Sequence, residues 1–342
     1  MSFSFDLPTI WFMLVGILFI GYAILDGFDL GIGALHLFTK TDQERRLMIN
    51  AIGPVWDGNE VWLVTGGGAL FAAFPEVYAT SFSGFYIAFM LFLLGLIFRA
   101  VAIEFRSKQE AKSWRKFWDV SFSASSILSA LLLGVALGNI ARGIPLDHNY
   151  EYVGSFWTLL NPYAIIVGIT TVALFTQHGA IYALMKTEGE LHDKLRGWVN
   201  PAIIVFVICY VMTTLFTLLY IPRMAENLKA FPVLFILPLL NALAIANIPR
   251  EIHHGRDFRA FLSSCASMAA LLALFGIGMY PNLILSRPEI ANSLTIYNGS
   301  SSEKTLGIML VIALIGMPLV IAYTSSIYWI FRGKVKLDES SY

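Results

Sequence analysis

Long runs of apolar residues, separated by short polar segments, dominate this chain. A helix needs about 20 apolar residues to cross the roughly 30 Å hydrocarbon core of a bilayer. Nine runs reach that length and predict transmembrane helices at 9–36, 50–74, 77–105, 117–139, 158–185, 198–221, 231–248, 258–280 and 305–331. The runs do not alternate apolar with polar residues, and backbone groups in lipid must be bonded internally, so helices are favoured over strands. The pattern predicts an all-α polytopic membrane protein, with residues 1–342 forming a single integral membrane domain.

Composition supports this class and excludes others. Of 342 residues, 57% are hydrophobic and only 13% are charged, whereas soluble domains carry about 25% charged residues. The net charge is zero, and no basic face free of lipid is expected, so a nucleic-acid partner is excluded. The two cysteines, Cys209 and Cys265, lie in apolar runs and are expected to pack as small hydrophobic side chains.

Basic residues predict the orientation, because lysine and arginine are enriched in the cytoplasmic loops of membrane proteins. With the N-terminus outside, seventeen of the 23 lysines and arginines fall in internal segments and five in external ones, while Arg99 lies inside a helix. The C-terminus is then cytoplasmic. The first apolar run is interpreted as a retained helix and not as a cleaved signal, since no basic residue precedes Lys40.

Several ionisable residues interrupt the first three apolar runs. Asp26 and Asp29 are three residues apart near the end of the first run, so they share one helical face. Asp57 and Glu60 repeat this spacing in the second run, and the third carries Arg99. In the predicted orientation, all five residues fall in the cytoplasmic half of the membrane or at its boundary.

An ionised side chain at the bilayer centre costs at least about 2.5–3.5 kcal/mol, so these groups are expected to face protein or water. One arginine cannot neutralise four carboxylates, and both burial and mutual repulsion favour proton uptake by carboxylates. A proton relay through Asp26, Asp29, Asp57 and Glu60, with Arg99 as charge partner, is therefore one hypothesis.

A purely structural interpretation of these residues stays open. Asp57 could be a simple salt-bridge partner of Arg99, and Asp29 could reach the headgroup region. Glu104 is a second candidate charge partner. It adjoins the basic segment 106–116, which favours its interpretation as an interfacial charge.

The histidines argue against haem ligation by this chain. Of six histidines, only His36 and His178 lie in predicted helices, so a bis-histidine site has little support. The triplet Gly66-Gly67-Gly68 is most simply a surface for close packing of another helix.

Several motifs resemble subunit II of the cytochrome bd-type quinol oxidases. The most specific are DGFDLG at 26–31, WDGNEVW at 56–62, GGALFAAFP at 67–75 and FSGFY at 82–86. Shorter matches follow at 98–99, 138–139, 160–162 and 293–296, so the resemblance runs from the first predicted helix to the last.

This resemblance implies a fold of two four-helix bundles and one peripheral helix, in the plasma membrane of a prokaryote. It implies a partner of similar fold, subunit I, that carries two b-type haems and one d-type haem. The complex would oxidise quinol and reduce oxygen to water without pumping protons, and this chain would ligate no haem and no metal. An additional small single-helix subunit, and bound lipid or quinone, are left open.

Carried over by position, Asp29 and Asp57 resemble the proton-path carboxylates of that family, and Asp26 and Arg99 match positions beside the path. The rival hypothesis is a stand-alone proton-coupled transporter, which buried carboxylates suit equally well. A transporter would, however, place its ionisable groups around a central cavity and function without a partner.

Overall fold

The computed structural model describes residues 6–337, which are almost entirely helical. The helices are α1 (Leu7–Leu35), α2 (Asp42–Ile52), α3 (Trp56–Ala73), α4 (Pro75–Gly84), α5 (Tyr86–Phe105), α6 (Lys112–Arg142), α7 (Pro162–Lys186), α8 (Gly189–Tyr220), α9 (Glu226–Ala230), α10 (Ile236–His253), α11 (Asp257–Met279) and α12 (Glu303–Ile330). Two short strands, β1 (Asn282–Ile284) and β2 (Leu294–Thr295), pair antiparallel in the segment between α11 and α12.

Eight helices of the described region are long and apolar enough to cross a membrane: α1, α5, α6, α7, α8, α10, α11 and α12. The prediction of an all-α polytopic membrane protein is therefore confirmed. The one remaining predicted helix, at 50–74, contains α3, whose 18 residues include Asp57, Asn59 and Glu60 in the first turns. These polar residues make α3 less apolar than the other eight.

The segment predicted as one helix at 50–74 is divided by a turn. Helix α2 ends at Ile52, and α3 begins at Trp56. Pro54 explains the break, because proline lacks an N–H donor and its ring clashes with the carbonyl one turn earlier. The short helix α2 begins with a capping box, in which Thr41 and Glu44 bond each other's backbone N–H groups.

Two other predicted segments also differ. The segment at 77–105 is split at Phe85 between α4 and α5, after the poor helix formers Ser83 and Gly84. The segment at 231–248 begins as a 3₁₀ turn, Pro232–Phe235, and becomes α-helical only at Ile236. Sequence periodicity identified these membrane segments but not the turns inside them.

Helix α1 lies at the centre of the molecule and packs against α3, α6, α7 and α11. Neighbour contacts group α1, α3, α5 and α6 on one side of the fold and α7, α8, α10 and α11 on the other, while the main helix contacts of α12 are with α1 and α3. The two groups meet where α1 and α6 pack against α7 and where α1 packs against α11. A methyl group added at Gly31 would lie 1.8 Å from the Phe175 carbonyl oxygen, so only glycine permits this approach.

Candidate functional site

Asp26 on α1 and Arg99 on α5 form a buried ion pair. Arg99 Nη1 donates to Asp26 Oδ1 at 2.6 Å, and the two residues are 1% and 0% exposed. Glu60 on α3 lies on the other side of the guanidinium, with Oε1 3.2 Å from Arg99 Nη2. Three helices therefore meet at one arginine.

Asp29 lies one helical turn from Asp26 and is also 0% exposed. Its Oδ2 accepts a hydrogen bond from Asn59 Nδ2 at 2.8 Å, and the same nitrogen donates to the Leu25 carbonyl at 3.1 Å. Tyr328 of α12 donates to Asn59 Oδ1 at 2.7 Å, which links the peripheral helix to α3 and α1. Asp29 Oδ1 has no hydrogen-bond partner among the described residues.

We name Asp26, Asp29, Glu60 and Arg99 the Arg99 cluster. Asp29 lies within electrostatic range of the other three residues. The cluster holds three carboxylates and one cation, so full ionisation would leave a net negative charge inside the membrane. Such a charge is costly, and protons are the simplest means of reducing it.

The structure does not bring all predicted site residues into this cluster. Asp57 was expected to be buried with the others, but it is exposed in the first turn of α3, one turn before Glu60. The reason is rotational, because the α3 face that carries Asn59 turns toward α1 and directs Asp57 away from it. Glu104 is half-buried near the end of α5, outside the contacts of Arg99.

A second charged cluster was missed by sequence reasoning. Asp119 of α6, 1% exposed, accepts from Arg106 Nε at 2.5 Å and from Arg45 Nη1 at 2.8 Å. His36 Nε2 lies 2.6 Å from Asp119 Oδ1, and because that oxygen is a carboxylate acceptor, Nε2 is the donor. His36 and Arg106 are also buried.

Asp42 of α2 extends this group toward the surface. It accepts from Arg106 Nη2 at 2.8 Å and from Arg115 Nη1 at 3.0 Å. We name the six residues the Asp119 cluster: His36, Asp42, Arg45, Arg106, Arg115 and Asp119. In contrast to the Arg99 cluster, cations are in excess here.

A surface ion pair lies beside the Asp119 cluster. Lys194 Nζ lies 2.9 Å from both carboxylate oxygens of Glu44, and the backbone N–H groups of Lys40 and Thr41 also donate to this carboxylate. Partial burial acts to raise the pKa of Glu44, but Lys194 and the two N–H groups outweigh it and hold the pKa below its ordinary value.

Histidine geometry bears on haem ligation. His178 is fully buried, with Nε2 3.0 Å from the Ile24 carbonyl and Nδ1 2.7 Å from Ser264 Oγ. A carbonyl can only accept, so Nε2 donates and Nδ1 accepts from the serine hydroxyl. Both ring nitrogens of His178 are thus engaged, so it does not fit the role of a haem ligand, whereas His36 is bonded to Asp119 through Nε2 alone.

The glycine triplet has two different surroundings. A methyl group added at Gly66 would lie 3.1 Å from the ring of Phe19 on α1, so this residue serves the internal α1–α3 contact. Methyl groups at Gly67 and Gly68 would meet nothing within 4 Å. The predicted close-packing surface is therefore partly internal and partly an open face of α3.

Within residues 6–337, no group of three or more His, Cys, Asp or Glu side chains could hold a metal ion.

Comparison with known proteins gives a match to the family described as Cytochrome bd terminal oxidase subunit II over residues 7–331. Cytochrome bd-I ubiquinol oxidase subunit 2 of Escherichia coli (strain K12) is 36% identical over 364 residues, covering 97% of this chain and 96% of that protein. Cytochrome bd ubiquinol oxidase subunit 2 of Bacillus subtilis (strain 168) is 35% identical, with 98% of each chain covered.

Among solved structures, the fold is similar to that of bd oxidase from Geobacillus thermodenitrificans. The TM-score is 0.79 at 18% sequence identity, covering 95% of this chain and 98% of that chain. The family match covers residues 7–331, the range that contains the Arg99 cluster. The chain therefore belongs to the cytochrome bd terminal oxidase subunit II family.

Proposed function

We propose that this chain is subunit II of a bd-type terminal quinol oxidase and that its Arg99 cluster carries protons from the cytoplasm toward the oxygen-reducing partner. Family membership supports the first statement, and the relatives named above are ubiquinol oxidase subunits. It also argues against the stand-alone transporter. Reduction of oxygen to water consumes protons, so the complex needs a route that supplies them.

One observation carries the proton role: three carboxylates share one buried arginine. Asp26 is paired with Arg99, and Glu60 contacts the same guanidinium. Asp29 is left with an asparagine on one oxygen and no hydrogen-bond partner on the other. A carboxylate with this incomplete bonding can exchange a proton without breaking an ion pair, so Asp29 is the central carrier of the proposed path.

The other predicted residues take flanking roles. Asp57 is exposed one turn from Glu60, which suits a group that collects protons at the partner-facing surface of α3. Asp26 fixes the position of Arg99, and Arg99 in turn limits the negative charge around Asp29. Glu104, half-buried at the predicted cytoplasmic end of α5, is assigned only an electrostatic influence on Arg99.

The exposed face of α3 indicates where subunit I packs. It presents the carboxylate of Asp57, two open glycines and the side chain of Val64, which is 72% exposed. A charged group facing lipid is costly, whereas small residues allow close approach of another helix. Subunit I is proposed to cover this face and so to enclose Asp57.

Haem chemistry is assigned to the partner. Members of this family belong to a haem-containing complex, and His178, whose two ring nitrogens are both bonded inside this chain, does not fit the role of a haem ligand. We assign two b-type haems and one d-type haem to subunit I, with quinol as substrate and a plasma-membrane location with the N-terminus outside. A small single-helix subunit and bound lipid or quinone remain compatible with the open helix faces.

Asp29→Asn tests the proton role in the assembled complex in native membranes. Asparagine keeps the size of the side chain but cannot carry a proton, so quinol-driven oxygen consumption should fall by about 100-fold. Haem content, read from the absorption spectrum, should be unchanged. Asp193→Asn is the matched control, because it makes the same change at an exposed position on the predicted cytoplasmic side.

Two outcomes would contradict the proposal. Normal oxygen consumption in Asp29→Asn would remove the proton path through this cluster. Loss of activity in proportion to loss of haem would show that Asp29 supports assembly and not proton delivery. Isolation of the chain as a colourless protein without a second subunit would overturn the oxidase assignment itself.

A further inference from the structure

The Arg99 and Asp119 clusters are connected by one continuous face on each of two helices, α1 and α5. On α1, Asp29, Gly33 and His36 follow at intervals of four and three residues, which places them on one helical face. From Asp26 to His36 this face spans about 15 Å, at 1.5 Å per residue. It begins in the Arg99 cluster and ends in the Asp119 cluster.

Helix α5 repeats this arrangement, and α6 carries buried serines beside it. Arg99 and Arg106 of α5 are seven residues apart, and each belongs to one of the two clusters. On α6, Ser126 and Ser129 follow Asp119 at intervals of seven and three residues, and both serines are 0% exposed. One face of α5 thus joins the two clusters, and the buried serines lie on the α6 face that carries Asp119.

The serines of α6 pack against glycines of α1 and α5. A methyl group added at Gly33 of α1 would lie 2.0 Å from Ser126 Oγ, and one added at Gly95 of α5 would lie 2.7 Å from Ser129 Oγ. The absence of side chains on α1 and α5 therefore leaves room for the two hydroxyls. We call the junction of α1, α5 and α6 at Gly33, Gly95, Ser126 and Ser129 the serine seam.

Four buried polar atoms along this junction have no hydrogen-bond partner among the described residues: His36 Nδ1, Ser129 Oγ, Arg99 Nε and Asp29 Oδ1. Buried polar atoms in folded proteins are nearly always bonded, either to protein or to ordered water. Ordered waters occupy polar sites where several such groups converge. Two of these atoms belong to the Arg99 cluster, one to the Asp119 cluster and one to Ser129 of α6, so ordered water is expected in both clusters and beside Ser129.

We propose that the serine seam is a second proton-uptake route, which leads from the His36–Asp119 pair to Asp29 and is separate from the one that begins at Asp57. This inference rests on the proposed proton role of the Arg99 cluster. Asp57 lies on the exposed face of α3, whereas the seam runs through the interior of this subunit. The two routes converge on the same carboxylate from different sides.

His36 is the proton-exchanging group at the start of the seam. Its Nε2–H is held by Asp119, which fixes the ring and leaves Nδ1 to accept a proton from a water molecule. The charged groups that face the ring are Asp119 of α6, Arg106 at the end of α5 and Arg45 of α2. The same nitrogen then releases the proton to the next water along the seam, so no covalent bond between heavy atoms changes.

The test uses the assembled oxidase in native membranes and the double variant Ser126→Ala/Ser129→Ala. Alanine removes both hydroxyls without adding volume against Gly33 or Gly95, so helix packing is preserved. Oxygen consumption should fall several-fold at unchanged haem content and unchanged KM for quinol. The slowing in D₂O should be larger than in the parent, because proton delivery then limits turnover.

Ser267→Ala on α11 is the matched control. Ser267 is also 0% exposed, but its hydroxyl bonds Asn241 of α10, which is not part of the seam. This control should change neither turnover nor the D₂O effect. His36→Gln is the second test, because glutamine can donate to Asp119 but cannot carry a proton, and it should slow turnover in the same way as the serine pair.

The outcomes separate this inference from the proposed function. Full turnover with an unchanged D₂O effect in the serine double variant, alongside impaired Asp29→Asn, overturns the seam and leaves the proton role of Asp29 intact. Full turnover in Asp29→Asn as well overturns both. Combining Asp57→Asn with the serine variants should slow turnover beyond either alone, and the absence of further slowing would show that the two routes are not separate.

Discussion

Asp29 and Asp119 are equally buried carboxylates with opposite surroundings. Both oxygens of Asp119 are bonded, Oδ1 by His36 and Arg106 and Oδ2 by Arg45. Asp29 has one asparagine bond and one oxygen without a partner. Asp119 therefore stays ionised and holds helices together, whereas Asp29 has the bonding expected of a group that gains and loses a proton.

The difference follows from position along the helices. The Asp119 cluster lies where α1, α5 and α6 reach their predicted cytoplasmic ends, so the long side chains of Arg45 and Arg115 can bond it and still reach water. The Arg99 cluster lies deeper, and Arg99 is its only cation. Burial alone does not identify a proton carrier, and the proposed role of Asp29 rests on burial together with fewer cations than carboxylates.

Breaking the deeper ion pair should have the largest effect. Arg99→Leu leaves Asp26 buried without a cation, and removal of one partner of a buried pair costs about 3–5 kcal/mol. We expect little assembled complex in the membrane, measured as haem absorbance per milligram of membrane protein. The double variant Asp26→Asn/Arg99→Leu removes both charges and should recover part of that yield; no recovery would show that Arg99 acts through something other than its pairing with Asp26.

Asp119→Asn should have the next largest effect, and it tests the comparison between the Asp119 and Arg99 clusters directly. It leaves Arg45 and Arg106 close together without the shared anion, but Arg45 is 25% exposed and can turn toward water. Loss of hydrogen bonds to a charged group costs about 1.5–3 kcal/mol each, so we expect a lower Tm of the purified complex but not loss of assembly. A larger loss of complex than in Arg99→Leu would reverse our ranking of the two clusters.

Much of the Arg99 cluster could be predicted from the sequence. Asp26 and Asp29 share a helical face by spacing, and the cost of charge in lipid requires that they and Arg99 find partners. Topology alone then brought these residues to one side of the membrane. The motif resemblance identified the same positions and the family, which the comparisons show.

The Asp119 cluster could not be found in this way. Asp119 and Arg106 adjoin the basic segment 106–116, a pattern typical of a solvated loop, and their contacts join residues 83 positions apart in the case of His36. The exposure of Asp57 could not be predicted either. The three-residue spacing of Asp57 and Glu60 does not show which side of α3 faces α1. The sequence signal for the cluster is only that Asp119 falls inside a span rather than before it.

Tyr328→Phe should have a moderate effect and tests how Asp29 is held. The change removes the hydroxyl that donates to Asn59 Oδ1, at a cost of about 1 kcal/mol. Asn59 still bonds Asp29, so oxygen consumption should fall much less than in Asp29→Asn. A loss equal to that of Asp29→Asn would place Tyr328 itself on the proton path, and Tyr323→Phe, on an exposed part of α12, is the matched control.

Glu44→Gln should have the smallest effect, because this carboxylate contacts a single cation, Lys194, at the surface and not inside the membrane. The pKa of Glu44 is lowered in the folded protein, so its ionised form stabilises the fold above the ordinary carboxyl pKa of about 4.5 and the contribution is lost as the pH falls through the lowered value. Exposed ion pairs contribute about 0.2–1 kcal/mol, so Tm of the variant should be slightly lower at pH 7 and should approach that of the parent as the pH falls below 4.5. Glu190→Gln, at an exposed position of α8, should leave Tm unchanged at both values. A Tm difference for Glu44→Gln that grows in acid would show that the Glu44 carboxylate is not stabilised as an anion.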